Sequence, residues 1–122
     1  MDARFTHRDD LVVDIHLPQE WQPLEDTLQD AVTTRAPRGS DEINPSSYWI
    51  DRTLGAIEQG ATGTIVASGN STDLVLDAYG LVAHSQYEMF EDQHVERSVL
   101  VDLLVRWRAV IIEVLAGGSS TP

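Results

Sequence analysis

The stretch Leu11-Val12-Val13-Asp14-Ile15-His16-Leu17 places apolar residues at 11, 13, 15 and 17, with Asp14 and His16 on the opposite side. That two-residue period predicts a half-buried strand over 11–17. Pro18 ends it. Pro23 then suits the first residue of a helix, with Glu25 and Asp26 in the first turn, where the helix dipole favours acids. Leu24, Leu28, Ala31 and Val32 share one face, and a helix over 23–35 follows. The segment from Ala36 to Tyr48 is rich in Pro, Gly and Ser and reads as a loop. Its end offers Asn44 as a cap and Pro45 as a first helical residue. Gly60 stands where a left-handed terminator is expected, so a helix is expected over 45–59. Ile50, Leu54 and Ile57 line its apolar face, and Gly55 within it suggests close packing.

Three short strands are expected next, over 64–68, 73–79 and 81–87, punctuated by Gly69-Asn70 and Gly80. Connections this short impose antiparallel neighbours. In the middle strand Leu74, Leu76 and Ala78 face one way, and Asp73, Val75, Asp77 and Tyr79 the other. A last helix begins between Asp92 and Ser98 and runs to about Leu115, ahead of Gly117-Gly118. Ser98, Asp102, Arg106, Ala109 and Glu113 form its narrow polar stripe. Leu100, Leu103, Leu104, Trp107, Val110, Ile111, Val114 and Leu115 form a broad apolar face. Val101, Val105 and Ile112 extend that face round a flank that also carries Arg97 and Arg108. The expectation is an α+β fold: a small antiparallel sheet, a three-stranded meander that the 11–17 strand can join as a fourth member, packed against about three helices with the C-terminal one central. One domain spans 1–118, and 119–122 forms a loose tail. So much apolar surface on one helix points to a subunit interface, a homodimer, or cover by the N-terminal segment, through Arg97, Val101, Val105, Arg108 and Ile112.

Composition narrows the function classes. The chain has 122 residues and no Cys, which excludes disulfides, thiolate ligands and a Cys nucleophile. Eight basic residues, all Arg, stand against twenty acidic ones, a net charge of −12. No basic stripe exists to neutralise phosphates, so nucleic acid is not the expected partner. Neither a signal-peptide pattern nor a membrane-span pattern is present, and a cytoplasmic protein without membrane association is expected.

Candidate chemistry is sparse. His7, His16, His84 and His94 are the possible imidazoles, and none lies in a metal-ligand spacing such as HExxH. His16 and His84 would share a sheet face if their strands were neighbours, with Asp14 and Asp77 close by. No Ser lies in GxSxG and there is no Lys for Schiff-base or phosphate chemistry. The string SGNST could present backbone N–H groups to an anion, though a hairpin turn suffices to explain it. A binding role without cofactor or metal is therefore favoured over catalysis.

Charge distribution supplies the positive signal. Residues 69–96 contain six carboxylates and no Arg. Asp73, Asp77 and Tyr79 on the sheet, and Glu88, Glu91 and Asp92 in the loop after it, are the expected partner-binding residues. Folding gives no evident reason for clustering these acids, whereas a basic protein partner would relieve their repulsion. The succession SSYWIDRTLGAIEQGA, VASGNSTDLVLDAYG and QYEMFEDQ, ahead of a long Trp-bearing helix, resembles the small acidic immunity proteins that guard bacteria against secreted polymorphic toxins. The resemblance covers about residues 45–115. It implies a cytoplasmic inhibitor that binds and blocks a toxin domain, often a basic nuclease. Two alternatives stand beside it: an acidic secretion chaperone for an effector protein, and a small enzyme using His16, His84 and neighbouring carboxylates.

Overall fold

The computed structural model describes residues 1–7, 12–32 and 47–115. The chain is α+β, with two strands at the start and a four-stranded sheet in the second half. Strands β1 (Arg4–His7) and β2 (Val13–His16) pair antiparallel as a small sheet of their own. A single 3-10 turn (Gln19–Trp21) leads into α1 (Gln22–Ala31), and α2 (Tyr48–Gln59) follows. Then come β3 (Ile65–Ser68), β4 (Thr72–Leu76), β5 (Gly80–Ser85) and β6 (Gln93–Glu96), hydrogen-bonded in that order with every pair antiparallel. Helix α3 (Arg97–Leu115) leaves β6 directly.

One core serves all these elements. Leu74, Leu76, Leu81, Ala83 and Val95 point from one face of the large sheet into it. Leu24, Leu28 and Ala31 of α1 meet them there, as do Ile50 and Ile57 of α2 and the apolar face of α3. Trp107 is buried at the centre, and its indole N–H donates to the Val13 carbonyl at 3.0 Å, which ties α3 to β2. The broad apolar face of α3 is thus explained by two sheets and a neighbouring helix. Thr27 and Thr53 are buried too, each donating its hydroxyl to the carbonyl four residues back, so neither leaves a polar group unmatched.

Several expectations are corrected. The fourth strand of the meander is Gln93–Glu96 and not the N-terminal one, which pairs instead with Arg4–His7. The middle strand ends at Leu76 and the next at Ser85: the Asp77 side chain closes a turn just beyond Leu76, and Gln86 starts another. Gly60 is extended, φ −76° and ψ 153°, so it is no left-handed terminator. Its need is for space: a Cβ there would lie 2.6 Å from the Ala56 carbonyl oxygen. Gly55, read as a mark of close packing, has open space where a Cβ would go. The cap at Asn44, the helix starts and ends proposed at 45 and 35, and the 119–122 tail lie outside the described residues.

The flank of α3 lies beside helix α2. The Arg97 guanidinium donates to the Ile57 carbonyl at 2.9 Å, and Arg108 pairs with Asp51 at 2.9 Å. Helix α2 therefore runs antiparallel beside this flank, where the N-terminal segment was one expected cover. Val101 packs partly against the core, while Val105 and Ile112 keep 41% and 55% of their surface in solvent.

Candidate protein-binding face

The register places Asp73 opposite His84, Val75 opposite Val82, and Val82 in turn opposite His94. Residues directly opposite share a face. These therefore lie on the outer side of the sheet, away from Leu74 and Leu76. Ile65 and Ser68 join them from β3, opposite Val75 and Asp73. The outer face thus carries an apolar row, Ile65, Val75 and Val82, bordered by polar rows. Ile65 is 56% exposed, whereas Val82 is covered by its neighbours.

Each polar border contains an imidazole–carboxylate pair. His84 Nδ1 lies 2.7 Å from Asp92 Oδ1, and His94 Nδ1 lies 3.2 Å from Asp77 Oδ2. The bond to Asp92 raises the His84 pKa above its ordinary value; loss of hydration opposes this, and the fields of Asp92, Asp73 and Glu88 reinforce it. Asp77 is held the other way. The Tyr79 N–H, donating at 2.8 Å, is the main cause of its lowered pKa; slight desolvation opposes, and the Gly80 N–H and His94 add to the lowering. This is an Asx turn, in which a side chain stands in for a backbone acceptor. It projects Tyr79 from the sheet, 92% exposed, at the turn tip and not on the strand face.

Not all six partner-binding candidates are therefore free. Asp73 accepts from the Ser68 hydroxyl at 2.6 Å and from the Gln86 amide at 3.0 Å. Asp77 and Asp92 have the partners just given. Folding does use these three, contrary to the expectation that it gains nothing from the clustered acids. Glu88 and Glu91 are exposed and have no ion pair among the described residues, and neither has Glu96, which the candidate set omitted. Glu88, Glu91 and Asp92 line a shallow depression of about 590 Å³ with His84 and Phe90. Glu88 has φ 58°, the left-handed region that costs a residue with a Cβ about 1 kcal/mol or more.

The SGNST string holds an anion that belongs to the chain. Asp30, in the last turn of α1, accepts from the Asn70, Ser71 and Thr72 N–H groups at 3.0–3.1 Å and from the Thr72 hydroxyl at 2.7 Å. Gly69 packs against the Asp30 carboxylate with no room for a Cβ. Burial disfavours the charge, but donation from Ser71, from the Thr72 hydroxyl and from the Asn70 and Thr72 N–H groups outweighs it and holds the pKa low. Similarly, Glu25 accepts from the Leu17 N–H at 2.6 Å, so its role extends beyond the helix dipole.

The other candidate arrangement comes apart. His16 lies on the small sheet, 2.7 Å from the Thr6 hydroxyl, and is not a strand neighbour of His84. No cluster of three or more metal-ligating side chains occurs among the described residues, and no described helix is long and apolar enough to cross a membrane. No family model, no curated protein and no solved structure matches this chain.

Proposed function

We propose that the protein is an inhibitory binding protein of the immunity type, which holds a basic partner, such as a toxin domain, against the outer face of its four-stranded sheet. The observation that carries this reading is the acidic loop: Glu88 and Glu91 are exposed beside an apolar row, without an ion pair among the described residues, in a stretch without Arg. An apolar centre with a charged rim is the ordinary anatomy of a protein interface. Tyr79, exposed at the adjoining turn, supplies an aromatic anchor. Unpaired carboxylates on such a rim steer a cationic partner and raise its association rate.

The test is capture of the partner from the native cell, followed by reconstitution with the purified pair. Glu88→Gln with Glu91→Gln, and separately Tyr79→Ala, should keep the native melting transition while slowing or weakening binding. Capture that is insensitive to all three substitutions and to salt would remove the proposed face from consideration.

A further inference from the structure

The free edge of β6 offers a second kind of contact. Strand β6 is at one end of the sheet order, with no strand beyond it among the described residues. The Asp77 N–H donates to the Gly80 carbonyl at 2.8 Å, which makes 77 and 80 a hydrogen-bonded pair. Such pairs alternate along an antiparallel ladder, so Val75 with Val82 and Asp73 with His84 are bonded likewise. Leu81 and Ala83 then turn their backbone groups to β6, where they face Val95 and Gln93. The crowding of Gly80 by the Val95 carbonyl oxygen agrees with this. By the same alternation the N–H and C=O of His94 and the N–H of Glu96 point outward, off the sheet.

They point beside a groove of about 580 Å³. One wall is the segment after β2, with Pro18, Glu20 and Trp21, and Val99 of α3 lines it as well. The Gln93 side chain fixes that wall, donating to the Glu20 carbonyl at 2.8 Å and accepting from the Leu24 N–H at 3.0 Å. Three carboxylates line the groove, Asp2, Glu20 and Glu96, with no ion pair among the described residues; Met1 and His94 line it too, and no Arg does. Trp21 and Val99 are partly buried apolar surfaces.

We infer that the β6 edge takes an extended segment of a partner protein as a fifth strand, with its basic side chains at Asp2, Glu20 and Glu96 and its apolar ones toward Trp21 and Val99. Strand addition supplies affinity through main-chain bonds and specificity through alternate side chains. Charge decides the occupant. A second copy would set one chain of net charge −12 against another, whereas a basic segment relieves the repulsion. The inference rests on the proposed basic partner but names a different surface from the Glu88–Glu91 loop.

The test uses a capped hexapeptide of alternating Arg and Val, with a hexapeptide of the same composition but N-methylated on alternate residues as control. Amide NMR and hydrogen exchange are read on the full chain. The alternating peptide should slow exchange at His94 and Glu96, and the control should not. His94→Pro removes an outward N–H on an edge strand, where Pro is tolerated, and should weaken binding at least tenfold. Glu96→Pro does the same at the start of α3 and should exceed the effect of Glu96→Gln, which removes charge alone. Melting curves establish that each variant is folded, and protection at the two amides in the wild type decides the matter if neither Pro variant folds. Binding that perturbs only Glu88 and Glu91 would overturn the edge inference and leave the acidic-face reading standing. No binding at low salt would also overturn it, with the loop variants deciding the other reading independently. Protection of His94 and Glu96 that rises with protein concentration alone, with a dimer in sedimentation, would assign the edge to a second copy.

Discussion

Asp30 and Glu91 are both carboxylates beside a turn of the four-stranded sheet, and they differ in what surrounds them. Asp30 accepts four hydrogen bonds from the β3–β4 turn. Glu91 stands exposed in the β5–β6 loop with no ion pair among the described residues. The same side-chain chemistry is thus divided between holding the fold and remaining available to a partner. Asp73, Asp77 and Asp92 belong with Asp30, since each closes a turn or pairs across the outer face. Glu88 and Glu96 belong with Glu91. Net charge does not distinguish the two groups; the supply of nearby donors does.

Removing the bound carboxylate should have the largest effect. Asp30→Ala should leave the N–H groups of Asn70, Ser71 and Thr72 without their acceptor and destabilise the protein by about 2 kcal/mol, a value already reduced for partial solvent access. Urea unfolding checks it. A loss under about 0.5 kcal/mol, the range of an ordinary surface change, would put Asp30 in the same group as Glu91.

Acid should reveal the same division. Because the Asp30 pKa is lowered in the folded protein, its contribution is complete above the unfolded value of about 3.8 and is lost as the pH falls through the lower folded value. Asp77 has the same sign. Asp30→Asn should therefore flatten the acid limb of a stability profile.

Glu88 combines a strained backbone with a carboxylate that has no ion pair among the described residues. Glu88→Gly should stabilise by about 1 kcal/mol, since glycine enters the left-handed region at little cost; thermal melting reads this. A smaller effect with opposite pH sign is expected at His84, whose pKa is raised by Asp92. That pair contributes fully below the unfolded value of 6.5 and loses its contribution as the pH rises through the higher folded value. Asp92→Asn should remove this alkaline decline from the melting temperature.

The sequence made the strongly periodic elements legible: Ile15, Leu24, Leu74 and Trp107 all sit in the core that their spacing implies. It hid β1 and β6, because Arg4–His7 and Gln93–Glu96 each carry a single large apolar residue, Phe5 and Val95. An edge strand has one ladder and little face to bury, so its pattern is weak. The acidic face was legible as composition, but its division was not. The Asp30 contact joins residues some forty apart, and no local period encodes it. The turn string Gly69-Asn70-Ser71-Thr72 was the available signal: it offered N–H groups to an anion, and the anion was already in the chain.

In the proposed function Glu88 and Glu91 serve recognition and not stability. The most direct test is the rate at which the captured partner associates with the wild type and with the Glu88→Gln, Glu91→Gln double variant, measured across a range of salt. The double variant should match the wild type in urea stability to within about 0.5 kcal/mol. It should associate several-fold more slowly at low salt and show a flatter dependence of rate on ionic strength. Association at the wild-type rate, with the wild-type salt dependence, would contradict the claim and leave Glu88 and Glu91 as surface charge alone.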